Sequence, residues 1–164
     1  MQIFIDGHHV FKGAKVLNKH VNYERLIDAL AHDGYHKLRF YSEVDESSDS
    51  QHRFLTWMTH NGFIVTTLPV FPAKNGEDKT RHANIMPVIA TDLMLAAHNG
   101  EKEFIIISGS PALTYTVEKL SDMGCRVELA IFKSIAHSDL LRACDEIIDL
   151  ASLSEIFEDR EPAE

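Results

Sequence analysis

Groups able to hold a metal ion or a phosphate follow several short apolar runs of the sequence. If those runs are parallel strands, their carboxyl ends meet at one edge of a sheet, which is where ligands bind in α/β proteins. Carboxylates suit Mg²⁺ or Mn²⁺, whereas free N–H groups at the start of a helix suit a phosphate. The groups are, in chain order, Asp6, Ser42-Glu43, Ser108-Gly109-Ser110 and Lys133.

Six short apolar runs alternate with segments of helical periodicity, and these elements must position the polar groups. An uninterrupted apolar run such as 104–107 predicts a strand that is buried on both faces. Strands separated by helices indicate crossover connections between parallel strands. The sequence therefore predicts a three-layer α/β sandwich with a central, mainly parallel sheet of Rossmann-like type. The predicted strands are 3–5, 38–41, 63–68, 104–107, 127–132 and 147–150.

Four helices are predicted from apolar residues at helical spacing and from residues that begin or end helices. A serine followed by proline, as at Ser110-Pro111, suits a helix start because the hydroxyl caps the first turn and proline needs no N–H there. The predicted helices run from Asn22 to Gly34, through 54–58 to Asn61-Gly62, over 87–98, and from Ser110 to Gly124.

Length and composition indicate one globular domain. The chain has 164 residues, of which 45% are apolar and 25% charged, and its formal net charge is −9. This charge gives no general attraction to nucleic acid, so RNA binding would need a local basic patch, and a protein partner or self-association fits the charge better. We expect a domain over 1–150, an acidic helix or tail over 151–164 that frays at its end, and a long mobile loop over 71–82.

The sequence carries no feature that directs it to a membrane or out of the cell. Its start is too short and too uncharged for a signal peptide, and no apolar run approaches the roughly 20 residues that span a bilayer. Cys125 and Cys144 form no CxxC pair and lie in apolar stretches, which is typical of buried free thiols. We therefore expect a cytoplasmic protein without a membrane partner.

Short motifs lie in order along the predicted elements. They are Asp6-Gly7, Tyr41-Ser42, Ala90-Thr91-Asp92, Ser108-Gly109-Ser110 and the segment 138–145, SDLLRACD. This ordered set resembles the NYN branch of the PIN-like nuclease superfamily over about residues 1–150. Members of that family are typically divalent-metal-dependent ribonucleases, so the resemblance implies a PIN-like fold with a site for Mg²⁺ or Mn²⁺ at the sheet edge.

The residues at the family's metal-binding positions imply a degenerate site. Asp6 and Asp92 match two of the acids of the family signature, and no acid occurs between Ser108 and Tyr115. Two aspartates alone make a poor Mg²⁺ site, which needs more anionic oxygen or a substrate phosphate. The departures are His9 in place of an asparagine, and Met86, Ser110 and Ala112 in place of acids.

Three functions follow, and whether the protein is an enzyme stays open at this point. The first is a catalytically degenerate pseudo-nuclease that acts by binding RNA or protein, with no cofactor. The second is a single-stranded ribonuclease that uses Mg²⁺ or Mn²⁺ on Asp6 and Asp92, with Glu43 or a histidine as a further ligand. The third is a phosphate or nucleotide site at Ser110. Its expected lining is His9, Ser108, Gly109 and Lys133, with Lys12, Lys74, Lys79 and Arg81 around the crevice.

Each candidate residue also has a purely structural interpretation. Asp6 could cap the turn after the first strand, and Asp92 could hydrogen-bond to a neighbouring loop. His8 and His9 could bind Zn²⁺ together with Asp6, but adjacent residues on an extended segment point to opposite sides. On that interpretation one histidine is solvated and the other is packed. Ser110 is sufficiently explained as a helix cap.

Overall fold

The structure, a computed structural model, describes residues 1–31, 34–35, 37–71, 81–82 and 84–159, with the backbone alone at 71, 81 and 82. Its strands are β1 (Gln2–Asp6), β2 (Lys19–Val21), β3 (Lys37–Val44), β4 (Phe63–Phe71), β5 (Arg81–His82), β6 (Glu103–Ile107), β7 (Arg126–Ile131), β8 (Glu146–Asp149) and β9 (Phe157–Asp159). Its helices are α1 (Gly7–Val16), α2 (Tyr23–Leu30), α3 (Asp49–His60), α4 (Met86–His98), α5 (Thr114–Asp122) and α6 (Ser138–Ala143).

The central sheet has seven strands in the order β5-β4-β3-β1-β6-β7-β8. All neighbouring pairs are parallel except β4–β5, which is antiparallel. Apolar residues of α1, α2 and α3 join one core, and those of α4, α5 and α6 join a second core. The two cores lie on opposite faces of the sheet because strand residues such as Phe4 and Ile5 alternate between them. The predicted three-layer α/β sandwich is confirmed.

The strand order reverses between β1 and β6, since the chain leaves β1 toward β3 on one side and returns at β6 on the other. Such a switch point leaves a crevice at the carboxyl ends of the two strands, where no crossover covers the sheet edge. β1 ends at Asp6, and Ser108 follows the last residue of β6. The fold therefore brings these two residues of the predicted site side by side.

Most predicted helix ends are confirmed by their capping contacts. The side chain of Asn22 accepts a hydrogen bond from the N–H of Arg25 at 3.1 Å and begins α2. α3 ends before Gly62, whose φ of 85° lies in the left-handed region that favours glycine. Ser110 caps a short 3₁₀ turn, Pro111–Leu113, and α5 follows it directly.

The structure corrects the prediction that His8 and His9 lie on an extended segment. Both residues are in the first turn of α1, which follows β1 without a loop. The helix also comes unusually close to its neighbours. A Cβ at Gly7 would lie 2.5 Å from the ring of Phe40, and one at Gly13 would lie 2.0 Å from the ring of Phe132. These glycines allow the close packing, and they also disguise the helix in the sequence because glycine is a poor helix former.

At residues 157–159 the structure differs from the predicted acidic helix or fraying tail over 151–164. Residues 157–159 form β9, which pairs antiparallel with β2 in a separate two-stranded sheet. Ile156 is fully buried, and its C=O accepts the N–H of Asn22 at 2.8 Å. Apolar anchors therefore hold this segment although it is rich in acids. Residues 160–164 lie outside the described part of the chain.

The long loop predicted over 71–82 is shorter than expected at both ends. β4 continues to Phe71, and residues 81–82 form β5 beside it. Residues 72–80, which include Lys74 and Lys79, lie outside the described residues.

None of the described helices combines the length and the apolar character that crossing a bilayer requires.

Candidate functional site

The Asp6 carboxylate lies at the switch point and both of its oxygens accept hydrogen bonds. One oxygen accepts the backbone N–H groups of His8 and His9 at 3.1 and 3.3 Å. The other accepts the hydroxyl of Ser108 at 2.8 Å. Asp6 is 5% exposed and Ser108 is fully buried. Asp6 is therefore the N-cap of α1, and it joins the ends of β1 and β6.

The N–H groups of the turn after β6 donate hydrogen bonds within the turn itself. The N–H of Ser110 donates to the hydroxyl of Ser108 at 3.3 Å, and the N–H of Ala112 donates to the hydroxyl of Ser110 at 3.3 Å. The N–H of Leu113 donates to the C=O of Ser110. A phosphate bound at this turn would need these N–H groups, and Pro111 has none. The turn is thus a satisfied helix start.

His9 is a buried, neutral residue of the same region. Its Nε2 accepts the N–H of Phe132 at 3.1 Å, so the proton of the neutral ring is on Nδ1. Burial lowers the pKa of His9 to about 4, against the opposing effect of the Asp6 charge. Gly109 lies against the ring, since a Cβ there would be 2.8 Å from Cε1. The imidazole therefore ties α1 to the residue that follows β7 and offers no lone pair to a metal ion.

Asp92 belongs to a different polar cluster. Its Oδ2 accepts the hydroxyl of Tyr41 at 2.8 Å and lies 3.6 Å from a guanidinium nitrogen of Arg39. Arg39 also donates to Gln2 at 3.3 Å. Burial, together with the hydrogen bond to Asp92, raises the pKa of Tyr41 above its usual value, so the phenol stays protonated. In the described part of the chain Asp6 and Asp92 share no hydrogen-bond or ion-pair partner.

The residues present do not fit the divalent metal that the family resemblance implies. Among the described residues no group of three or more His, Cys, Asp or Glu side chains is placed to hold a metal ion. Both oxygens of Asp6 accept hydrogen bonds from N–H and O–H donors, and Asp92 is paired with Arg39. At the other family positions, Met86 begins α4 and packs against the core, while Ser110 and Ala112 form the turn after β6.

The remaining predicted residues are dispersed. Lys133 is exposed in a 3₁₀ turn after β7, and Lys12 is exposed on α1. Glu43 lies near the carboxyl end of β3, where it lines a cleft that Gly7 and His8 also line. His8 is exposed and contributes only its backbone N–H to the Asp6 cap. The structure thus unites Asp6, His9, Ser108, Gly109 and Ser110 and leaves Asp92 and Lys133 out.

Sequence reasoning missed Arg39 and Tyr41 as the partners of Asp92. A usable signal was present, because the two residues are two apart on a predicted strand and must therefore share a face. A buried tyrosine hydroxyl and an arginine on one face require an acceptor, and Asp92 lies on the helix that covers that face.

We expect Tyr41→Phe to lower the free energy of unfolding by about 1 to 2 kcal/mol. The substitution leaves the ring in place but removes the hydroxyl that satisfies the half-buried carboxylate of Asp92. Urea denaturation measures the change. Tyr35→Phe, at a side chain that is 47% exposed, is the matched control and should change stability by less than about 0.5 kcal/mol. An equal effect of both substitutions would contradict the role of the Tyr41 hydroxyl.

Comparison with known proteins places the chain in a family. The NYN domain sequence profile matches residues 1–153. The crystal structure of a protein of unknown function from Vibrio parahaemolyticus is similar, with a TM-score of 0.78, over 96% of this chain and 95% of that chain. At 14% identity this similarity shows the fold alone. No curated protein matches the chain significantly. The profile match covers nearly all of the sequence, and the chain therefore belongs to the NYN domain family, with the α/β fold of the PIN-like nucleases.

Proposed function

We propose that this NYN domain does not cleave RNA and acts instead as a binding domain, a pseudo-nuclease that recognises a protein or RNA partner. The observation that carries the proposal is that the protein itself supplies hydrogen bonds to both oxygens of the Asp6 carboxylate. A metal ion would therefore have to compete with the N-cap of α1 at one oxygen and with the Ser108 hydroxyl at the other.

The chemistry of metal-dependent hydrolysis supports the same proposal. Mg²⁺ or Mn²⁺ in a nuclease needs several hard oxygen ligands in one place to activate water and to neutralise the phosphate. Asp92 already accepts the Tyr41 hydroxyl and is paired with Arg39. To bind a metal ion together with Asp6, it would have to give up these partners.

The charge of the protein favours a protein partner, including a second copy, over RNA. A net charge of −9 repels a polyanion such as RNA wherever the surface has no local basic patch. We place this activity in the cytoplasm, since Cys125 and Cys144 are free thiols of the kind that a reducing compartment preserves.

We expect the purified protein to leave a pool of single-stranded RNA intact in the presence of millimolar Mn²⁺ or Mg²⁺. Gel analysis of the RNA over several hours measures this. The matched variants are Asp6→Asn, at the cap, and Asp122→Asn, at an exposed residue on α5. Cleavage that a chelator stops, and that Asp6→Asn abolishes while Asp122→Asn does not, would overturn the proposal.

A further inference from the structure

The side of α4 that faces away from the sheet is apolar. α4 contains one aspartate and no Glu, Lys or Arg, and that aspartate, Asp92, is paired with Tyr41 and Arg39. Leu95, on the outward side, is 53% exposed. A helix that packs on one side only normally carries charged and polar residues on the other side. The composition of α4 is therefore typical of a helix whose outer side is also covered.

A groove of about 570 Å³ lies between α4 and its neighbour α5. Met94 and Leu95 line the groove from α4, and Tyr115 and Met123 line it from α5. Tyr115 is 69% exposed and therefore projects at the rim of the groove. Tyrosine and methionine are enriched in protein interfaces, and methionine adapts its shape to a partner. We call these four residues, together with Lys119, the α4–α5 face.

The charge of the α4–α5 face is balanced, although the chain as a whole is acidic. The chain has 25 Asp and Glu residues against 16 Lys and Arg residues. Of the described residues that line the groove, only Lys119 belongs to either group. Its ammonium group pairs with Asp122 and lies 5.4 Å from the centroid of the Tyr115 ring. The negative charge of the protein is therefore carried elsewhere on its surface.

This distribution of charge favours a second copy of the chain as the partner. A basic partner would be drawn to the acidic parts of the surface rather than to this face. Two copies that each carry a net charge of −9 repel each other, and they can pack closely only where the local charge is balanced. A two-fold axis brings the same face of both copies together, so the Tyr115 ring of each copy can enter the groove of the other.

We propose that the α4–α5 face is the interface of a homodimer. The proposal rests on the proposed binding function and deepens it, because it names the partner and the surface. α4 has 13 residues and is about 20 Å long, so a face two helices wide is at the small end of specific interfaces and forms a transient dimer. RNA cleavage tests the cluster around Asp6, whereas self-association tests this face, so the failure of one is distinguishable from the failure of the other.

Sedimentation equilibrium of the whole chain tests whether the dimer forms. We expect the weight-average mass to rise from 18.5 kDa toward twice that value as the protein concentration increases. A range from about 1 to about 500 micromolar covers the dissociation constants of transient complexes. A mass that stays at 18.5 kDa over the whole range would overturn the proposal, and it would leave the face to a different protein.

Leu95→Lys tests whether the dimer uses this face. We expect the dissociation constant of the dimer to rise at least about tenfold, because the new ammonium group would be buried against apolar side chains. Val16→Lys is the matched control, since it adds the same charge at a residue of α1 that is 61% exposed and changes the net charge equally. Equal dissociation constants for the two variants would overturn the assignment of the face.

The methyl groups of methionine locate the interface without any substitution. Met94 and Met123 line the groove, whereas Met58 is fully buried in the core on the other side of the sheet. We expect the NMR signals of the Met94 and Met123 methyl groups to shift as the protein concentration rises, and the Met58 signal to stay fixed. Fixed Met94 and Met123 signals in a sample whose mass doubles would place the interface elsewhere and overturn the assignment.

Salt distinguishes an apolar interface from one that ion pairs hold together. Screening weakens the repulsion between two acidic chains, and the face itself has no net charge to lose. We therefore expect the dissociation constant to stay unchanged or to fall when the salt concentration is raised from about 50 to about 500 millimolar. Dissociation of the dimer by salt would contradict an apolar interface and overturn the proposal.

Discussion

Replacing Asp6 by alanine is expected to lower the free energy of unfolding by about 3 kcal/mol. The substitution removes the N-cap of α1 and leaves two backbone N–H groups, of His8 and His9, without their acceptor. It also leaves the O–H of Ser108, a fully buried residue, without its acceptor. Each buried polar group without a partner costs about 1 to 3 kcal/mol, and an N-cap contributes about 1 kcal/mol.

Urea denaturation of Asp6→Ala, Asp6→Asn and Asp122→Ala measures this effect. We expect a smaller loss of about 1 kcal/mol in Asp6→Asn, because the amide oxygen can still accept from the helix start. Asp122→Ala removes an exposed ion pair with Lys119 and should cost less than about 1 kcal/mol. An acid that is held among other carboxylates for a metal ion has the opposite effect on stability, because its removal relieves the repulsion between the carboxylates. Stabilisation by Asp6→Ala would therefore contradict the capping role.

Acidification is expected to remove about 3 kcal/mol of stability through His9 alone. Burial lowers the pKa of His9 from its usual 6.5 to about 4 in the folded protein. Between these values the unfolded chain binds a proton at this residue and the folded chain does not. The contribution is therefore complete above pH 6.5 and is lost as the pH falls toward 4.

Comparison of the wild type with His9→Gln isolates this contribution from that of the carboxylates. Glutamine can accept the N–H of Phe132 but does not titrate, so the stability of the variant should fall less steeply over the same pH range. His20→Gln changes an exposed histidine and should retain the slope of the wild type. Parallel pH profiles for the wild type and His9→Gln would show that His9 is not buried as a neutral ring.

The parallel sheet was predictable because its strands are buried on both faces and therefore appear as uninterrupted apolar runs. All six predicted strands are present, and Asn22 and Gly62 fall where the sequence placed helix ends. α1 was missed because its N-cap, Asp6, was considered as a metal ligand, and because the helix contains two glycines, which are poor helix formers. β2 and β9 were missed because each has only three residues, and a strand that short is identified by its partner rather than by its own pattern.

The candidate site was predictable only in part. The sequence shows which residues lie at the strand ends, but it does not show where their side chains point. Placing Asp6 and Ser108 at neighbouring strand ends required only the topology. The sequence could not reveal that the two side chains bond to each other, nor that Asp92 turns toward Tyr41 and Arg39. Those outcomes depend on which donors lie nearest each carboxylate after packing, and that is a property of the tertiary structure.

The pairing of β2 with β9 has a consequence for how this protein is made. The contact between Lys19 and Asp159 joins residues 140 positions apart in the chain. While the ribosome is translating the middle of the sequence, β2 has already emerged, but its partner strand does not yet exist. The nascent chain therefore carries β2 without its partner until residues 157–159 have been synthesised, so this pairing forms only after the strands between them have emerged.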